Sequence, residues 1–96
     1  MGRLRQLVSE KRTEIRSIAT ENNAIDIKVF GSVAKGLDDD QSDVDFLVVM
    51  AERSSLFDLG GMQFALSALL GVDVEVITEA SLKARDAYIL QEAVPL

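Results

Sequence analysis

The sequence predicts an α/β domain of mixed α+β character: a small mixed β-sheet of about three strands, with helices packed mainly on one face. Three observations lead there. The first twenty residues carry an apolar stripe of helical period, residues 24–30 alternate as a strand does, and residues 43–78 read strand, helix, strand. The last pattern implies a parallel pair joined by a right-handed crossover, whereas the shorter connection between the first two strands permits an antiparallel pair. At 96 residues the chain is expected to form one domain over 1–96 around one core.

Each element has its own reason. Over residues 3–21, Leu4, Leu7, Val8, Lys11, Ile15, Ile18 and Ala19 recur at the spacing of one helix face, and Lys11 can lay its stem along the apolar surface. Asn22-Asn23 is a stop, because asparagine tolerates the left-handed backbone. In the strand that follows, Ile25, Ile27 and Val29 share one face and Asp26, Lys28 and Phe30 the other, with Phe30 the apolar exception. A second strand covers about 43–50. Ser54 or Ser55 caps a helix from about Leu56 to Leu70, and Gly71 ends it. Gly60-Gly61 within it costs ~1 kcal/mol per glycine relative to alanine. The pair marks a bend, a close packing contact or a late start at Met62. Val72 to Thr78 forms a third strand, and Thr78 or Ser81 caps a closing helical segment through about Glu92, before Pro95.

Composition removes whole classes of chemistry. The chain has neither cysteine nor histidine. Disulfides, thiol nucleophiles, ordinary zinc sites and imidazole acid–base catalysis are therefore excluded, and any metal chemistry must use oxygen ligands. Residues 1–20 hold five basic side chains against two acidic ones, a net +3 within a chain of net charge −6, which leaves −9 for the rest. So acidic a body opposes direct nucleic-acid binding, and the basic first helix reads as a solvated face. No apolar run approaches the ~20 residues that span a bilayer, so no membrane association is expected, and the cytoplasm is the expected setting. Met1-Gly2 does not extend to a myristoylation pattern, because Gln6 stands where serine or threonine belongs. Asp38-Asp39-Asp40 lacks the spaced ligands and closing glutamate of a calcium loop and reads as a solvated turn.

The chemistry concentrates between Phe30 and Met50. Asp43 and Asp45 are two apart in a strand, so they share a face ~6–7 Å apart while Val44, Phe46 and Val48 point into the core. Two carboxylates that close repel unless a cation lies between them or one is protonated. Paired oxygen ligands on a rigid element suit a hard divalent cation, usually magnesium, that also binds substrate phosphates. Just upstream, Gly31 allows the first strand to bend tightly, and a short helix over Ser32–Lys35 would aim free N–H groups at an anion. The Ser32 hydroxyl and the Lys35 ammonium would add a hydrogen bond and a mobile charge. A phosphate cradle beside a metal pair suggests phosphoryl or nucleotidyl transfer. Strand three adds Asp73 and Glu75, again two apart, and either can approach Asp43 and Asp45 if the strands are neighbours. A dinucleotide fold is excluded by length and by the absence of its spaced glycines.

Gly31-Ser32-x-Ala34-Lys35-Gly36 followed by Ser42-Asp43-x-Asp45 resembles the signature of the minimal nucleotidyltransferases, a family of the DNA polymerase β-like superfamily. The likeness extends to the closing Glu92-Ala93-Val94-Pro95-Leu96. Lys35 departs from the commoner arginine, keeping the charge and losing the planar fork. The resemblance implies the nucleotidyltransferase fold and a magnesium-dependent enzyme with ATP as substrate and two cations. It assigns Asp43, Asp45 and Glu75 as catalytic and metal-binding residues, Glu75 standing where the family carries its third aspartate. Gly31, Ser32, Lys35 and Ser42 would hold the nucleotide. It further implies an antitoxin that transfers AMP to a tyrosine of a HEPN-type ribonuclease toxin. The alternative is a catalytically impaired module of the same fold that neutralises its partner by contact. Self-association is left open.

Overall fold

The computed structural model describes residues 2–39 and 41–96; Met1 of the Met1-Gly2 pair and Asp40 of the acidic run lie outside the described residues. The elements in chain order are α1 (Arg3–Glu10), α2 (Arg12–Glu21), β1 (Ala24–Phe30), α3 (Gly31–Lys35), β2 (Val44–Met50), α4 (Leu56–Leu70), β3 (Val74–Thr78), α5 (Ala87–Glu92) and β4 (Val94–Pro95). Two short 3₁₀ turns, Glu79–Ser81 and Ala84–Asp86, lead into α5.

The strands lie in the order β3-β2-β1-β4. β2 and β3 run parallel, and β1 is antiparallel to both β2 and β4. This is the expected mixed sheet with one more strand than the sequence predicts. The extra one is two residues long, Val94-Pro95, opposite Val29 and Lys28. No alternation can announce so short a strand; its pairing comes from where α5 releases the chain.

Two further differences have local causes. The predicted first helix is interrupted at Lys11, where ψ opens to 13°, although Lys11 N–H still reaches Leu7 O and Ile15 N–H still reaches Lys11 O. The break falls at the single charged residue of the stripe. In β1, Ala24 stands opposite Met50 and Asp26 opposite Val49, so Ile25 is an extra residue, a β-bulge. An inserted residue reverses the inside–outside parity before it. Ala24 is therefore buried with Ile27 and Val29, and Ile25, expected on their face, is 71% exposed.

The main core lies between one face of the sheet and α1, α2 and α4. Leu4, Val8, Ile15 and Ala19 meet Val44, Phe46 and Val48 there, and α4 contributes Met62, Leu66 and Leu70. The opposite face carries a smaller cluster, Phe30, Leu47 and Ile89 with Ile77, Leu82 and Ala93, under α5 and the 3₁₀ turns. Phe30, the apolar exception of the sequence pattern, belongs to this second cluster. α4 runs unbroken from Leu56 through Gly60-Gly61, so there is no late start at Met62; at Gly61 the close packing contact is present, since a β-carbon there would lie 3.0 Å from the Asn22 Oδ1. Asn23 takes the left-handed backbone at φ 64°, and Gly71 caps α4 at φ 70°. No helix among the described residues is long and apolar enough to cross a membrane.

Candidate active site

β1 and β2 register Phe30 against Asp45, and β2 and β3 register Asp45 against Glu75. One transverse row of the sheet thus reads Phe30, Asp45, Glu75. Antiparallel pairing on one side and parallel pairing on the other bring the end of β1 level with the starts of β2 and β3. All three motifs of the sequence meet at that end. Asp43 immediately precedes β2 and is exposed, while Asp45 is half-buried.

Gly31 follows Phe30 directly and has φ 75°, a backbone that disfavours any side chain. A β-carbon at this position would stand 2.5 Å from the Asp45 Oδ2. Two requirements therefore fall on one glycine: the left-handed turn out of β1 and the approach of a carboxylate. The turn opens α3, whose N-cap is Phe30, a residue with no side-chain acceptor for the first N–H groups. Ser32, half-buried, is its second residue. Gly36 closes the helix at φ 71°.

The charges at this end are strained. Asp45 has its pKa pushed up from 3.8 to about 6, first by burial and then by the negative charges of Glu75 and Asp43. Asp45 thus feels both other carboxylates predicted from sequence. Among the described residues, no three His, Cys, Asp or Glu side chains converge closely enough to hold a metal ion as they stand. The residues nevertheless fit a cation chemically. They offer only carboxylate oxygens, and the half-buried member is destabilised in its charged form, which an oxygen-seeking divalent cation relieves.

The remaining predicted residues have partners of their own. Lys35 Nζ lies 2.9 Å from Glu92 Oε1, an ion pair that ties α3 to the end of α5. Ser42 Oγ accepts the Asp39 N–H at 2.8 Å and lies 3.2 Å from Asp39 Oδ1, so its hydroxyl closes the acidic turn. Asp38, expected to be a solvated turn residue, instead accepts the Leu4 N–H at 2.9 Å and caps α1. The Arg5 guanidinium donates to the Ala34 carbonyl, so the first turn of α1 braces the C-terminal end of α3 and the turn after it. Asp73 uses its carbonyl to accept the Val44 N–H at 3.1 Å, and its side chain is exposed. Glu75, not Asp73, stands in register with Asp45. Sequence reasoning missed Glu92 and Asp38 as partners. Glu92 was visible only as the first residue of the closing motif, without a role.

An open groove of about 650 Å³ adjoins the row on the α4 side, lined by Ser42, Asp43, Phe64, Ala68 and Asp73 among others. Of Asp43, Asp45 and Glu75 it includes Asp43 alone.

A family model described as nucleotidyltransferase domain matches residues 8–96. The chain is 40% identical over 70 residues to the protein adenylyltransferase MntA of Thermococcus cleftensis, covering 72% of this chain and 71% of the relative. Its structure is similar to that of a candidate minimal nucleotidyltransferase, with TM-score 0.87, 35% identity, and coverage of 100% of this chain and 97% of the other. A toxin–antitoxin crystal structure with AMP-PNP shares the fold at TM-score 0.74 and 20% identity, over 86% of this chain and 69% of the other.

Proposed function

Because the chain belongs to the nucleotidyltransferase domain family and is a nucleotidyltransferase, we propose that it transfers AMP from ATP to a hydroxyl of a partner protein. The acceptor in this reading is a tyrosine of a HEPN-type toxin, and the chain is its antitoxin. What supports it is the close fit of the Gly31 turn against the Asp45 carboxylate, with Glu75 next in the same row. The phosphate-binding turn and the acids required for transfer are thereby one structural unit.

In this reading Asp43, Asp45 and Glu75 would hold magnesium, which when bound would neutralise phosphate charge and polarise the phosphoryl oxygens. The N–H groups opening α3, with Gly31 and the Ser32 hydroxyl, bind triphosphate oxygens, and Ser42 closes the acidic turn that leads into Asp43 just before β2. The acceptor oxygen forms a bond to the α-phosphorus. The bond from that phosphorus to the α,β-bridging oxygen breaks, pyrophosphate leaves with the electron pair, and Glu75 takes the hydroxyl proton. Most of the acceleration then comes from positioning and charge neutralisation. The contact-neutralising alternative draws on one observation, the Lys35–Glu92 ion pair, which occupies the cation expected to meet phosphate.

The decisive experiment incubates the purified chain with a purified HEPN toxin, magnesium and ATP labelled at the α-phosphate. Label on a toxin tyrosine, absent with γ-labelled ATP and lost in Asp45→Asn, is the expected result. Toxin neutralised without label, or label that survives Asp45→Asn, would overturn the catalytic reading.

A further inference from the structure

α4 breaks the usual rule for a surface helix. One face of its fifteen residues packs on the sheet through Met62, Leu66 and Leu70, yet its only charged residue is Asp58, and the outward face is apolar as well. A helix apolar all round is normally covered on all sides. Here Phe57 is 91% exposed, Phe64 79% and Leu56 84%. At 100° per residue, Phe57, Gly60, Gly61, Phe64 and Ala68 form one stripe ~16 Å long, directly opposite the buried face.

We propose that this stripe is the contact of a homodimer, with α4 packed against α4 of a second copy about a twofold axis at Gly60-Gly61. The pattern Phe57-Asp-Leu-Gly60-Gly61-Met-Gln-Phe64 is self-complementary when reversed. An antiparallel pair centred between the two glycines sets Phe57 of each copy against Phe64 of the other, and Gly60 against Gly61. That is the isologous arrangement a twofold dimer requires. It also accounts for Gly60, since Gly61 already has a reason within the monomer: a β-carbon there would lie 3.0 Å from the Asn22 Oδ1. A β-carbon on Gly60 would meet nothing within 4 Å, so the fold itself imposes no glycine there, whereas two helix backbones in close contact do.

The exposed area suits a weak, reversible pairing of two copies. Phe57 and Phe64, with Leu56 flanking the stripe, expose at most about 500 Å² of side chain per copy, so a pair buries at most about 1,000 Å², the size of weak, transient interfaces. Two molecules of net charge −6 repel, and this uncharged stripe is where they can approach. The pairing concerns α4 alone and holds whichever acceptor the enzyme modifies.

Sedimentation equilibrium of the whole chain over a concentration series tests it. The expected result is a reversible monomer–dimer equilibrium with dissociation in the micromolar range (~1–100 μM), as suits an interface of this size. Phe64→Glu should weaken association by roughly a hundredfold or more, because the charge would be buried against Phe57. Gly60→Ala separates fold from interface. It should raise the melting temperature of the dilute monomer, where the methyl group finds open space, while weakening association about tenfold. A chain that stays monomeric up to ~1 mM overturns the proposal, whether or not another protein covers the stripe. So does a dimer indifferent to both substitutions.

Discussion

A single methyl group separates Gly31 from a working site. In Gly31→Ala the new β-carbon would need the space of the Asp45 Oδ2 and a left-handed backbone, which costs ~1–2 kcal/mol for a residue with a side chain. Asp45 is the group that moves, because it ends in rotatable bonds. The variant should fold with a lower melting temperature and lose about 100-fold in transfer rate, the scale of a ~1 Å misplacement. Titrating the fold against pH reads Asp45 itself. Its folded pKa, about 6, lies above its ordinary 3.8, so the folded chain binds this proton more tightly than the unfolded one. The associated stability is present below pH 3.8 and is lost as pH rises through about 6. Asp45→Asn, measured in chelator, should therefore raise stability at pH 8 by ~1 kcal/mol after solvent screening is allowed for, with no gain at pH 4. Equal gains at both pH values would show that the cost of the charged carboxylate, from burial first and from Glu75 and Asp43 second, is not the cause. The same substitution should abolish transfer, so one acid carries opposite weights in stability and activity.

At the scale of elements, the acidic turn and the first helix hold each other. Asp38 supplies the cap that Gly2, the N-cap residue of α1, has no side chain to give, and a β-carbon on Gly2 would collide with that carboxylate. Removing the carboxylate in Asp38→Ala should cost ~1 kcal/mol. Amide hydrogen exchange checks it residue by residue: the Leu4 N–H should lose protection first, with the rest of α1 following. Unchanged protection would mean that the Arg5 contact to Ala34 holds α1 alone. Bulge and break are element-scale events as well. Ile25 looks regular in sequence and interrupts β1 because the pairing with β2 is fixed on either side of it.

For the whole molecule, stability rests on the layer between the sheet and α1, α2 and α4. Phe46 lies at its centre, fully buried. Truncation in Phe46→Ala should cost ~3–5 kcal/mol through lost burial and the cavity left behind. A domain of this length has a total of only ~5–14 kcal/mol, so the urea midpoint should fall by roughly a fifth or more. A loss below ~1 kcal/mol would mean that the second cluster under α5, with Phe30, Leu47 and Ile89, carries more of the fold than its size suggests.

Periodicity determined the helices and the three longer strands, because burial on one face writes itself into residue spacing. Asp43-x-Asp45 and the Gly31-Ser32 turn were likewise legible, since each is a local pattern whose chemistry depends on neighbours a few residues away. Tertiary structure alone decided the rest. The β2–β3 register set Glu75 rather than Asp73 beside Asp45, packing of α5 turned Glu92 toward Lys35, and return of the chain beside β1 made a strand of Val94-Pro95. Those pairings join residues up to dozens of positions apart, and nothing within a strand or helix fixes which distant side chain will stand opposite it. Only closure of the sheet around its core selects that.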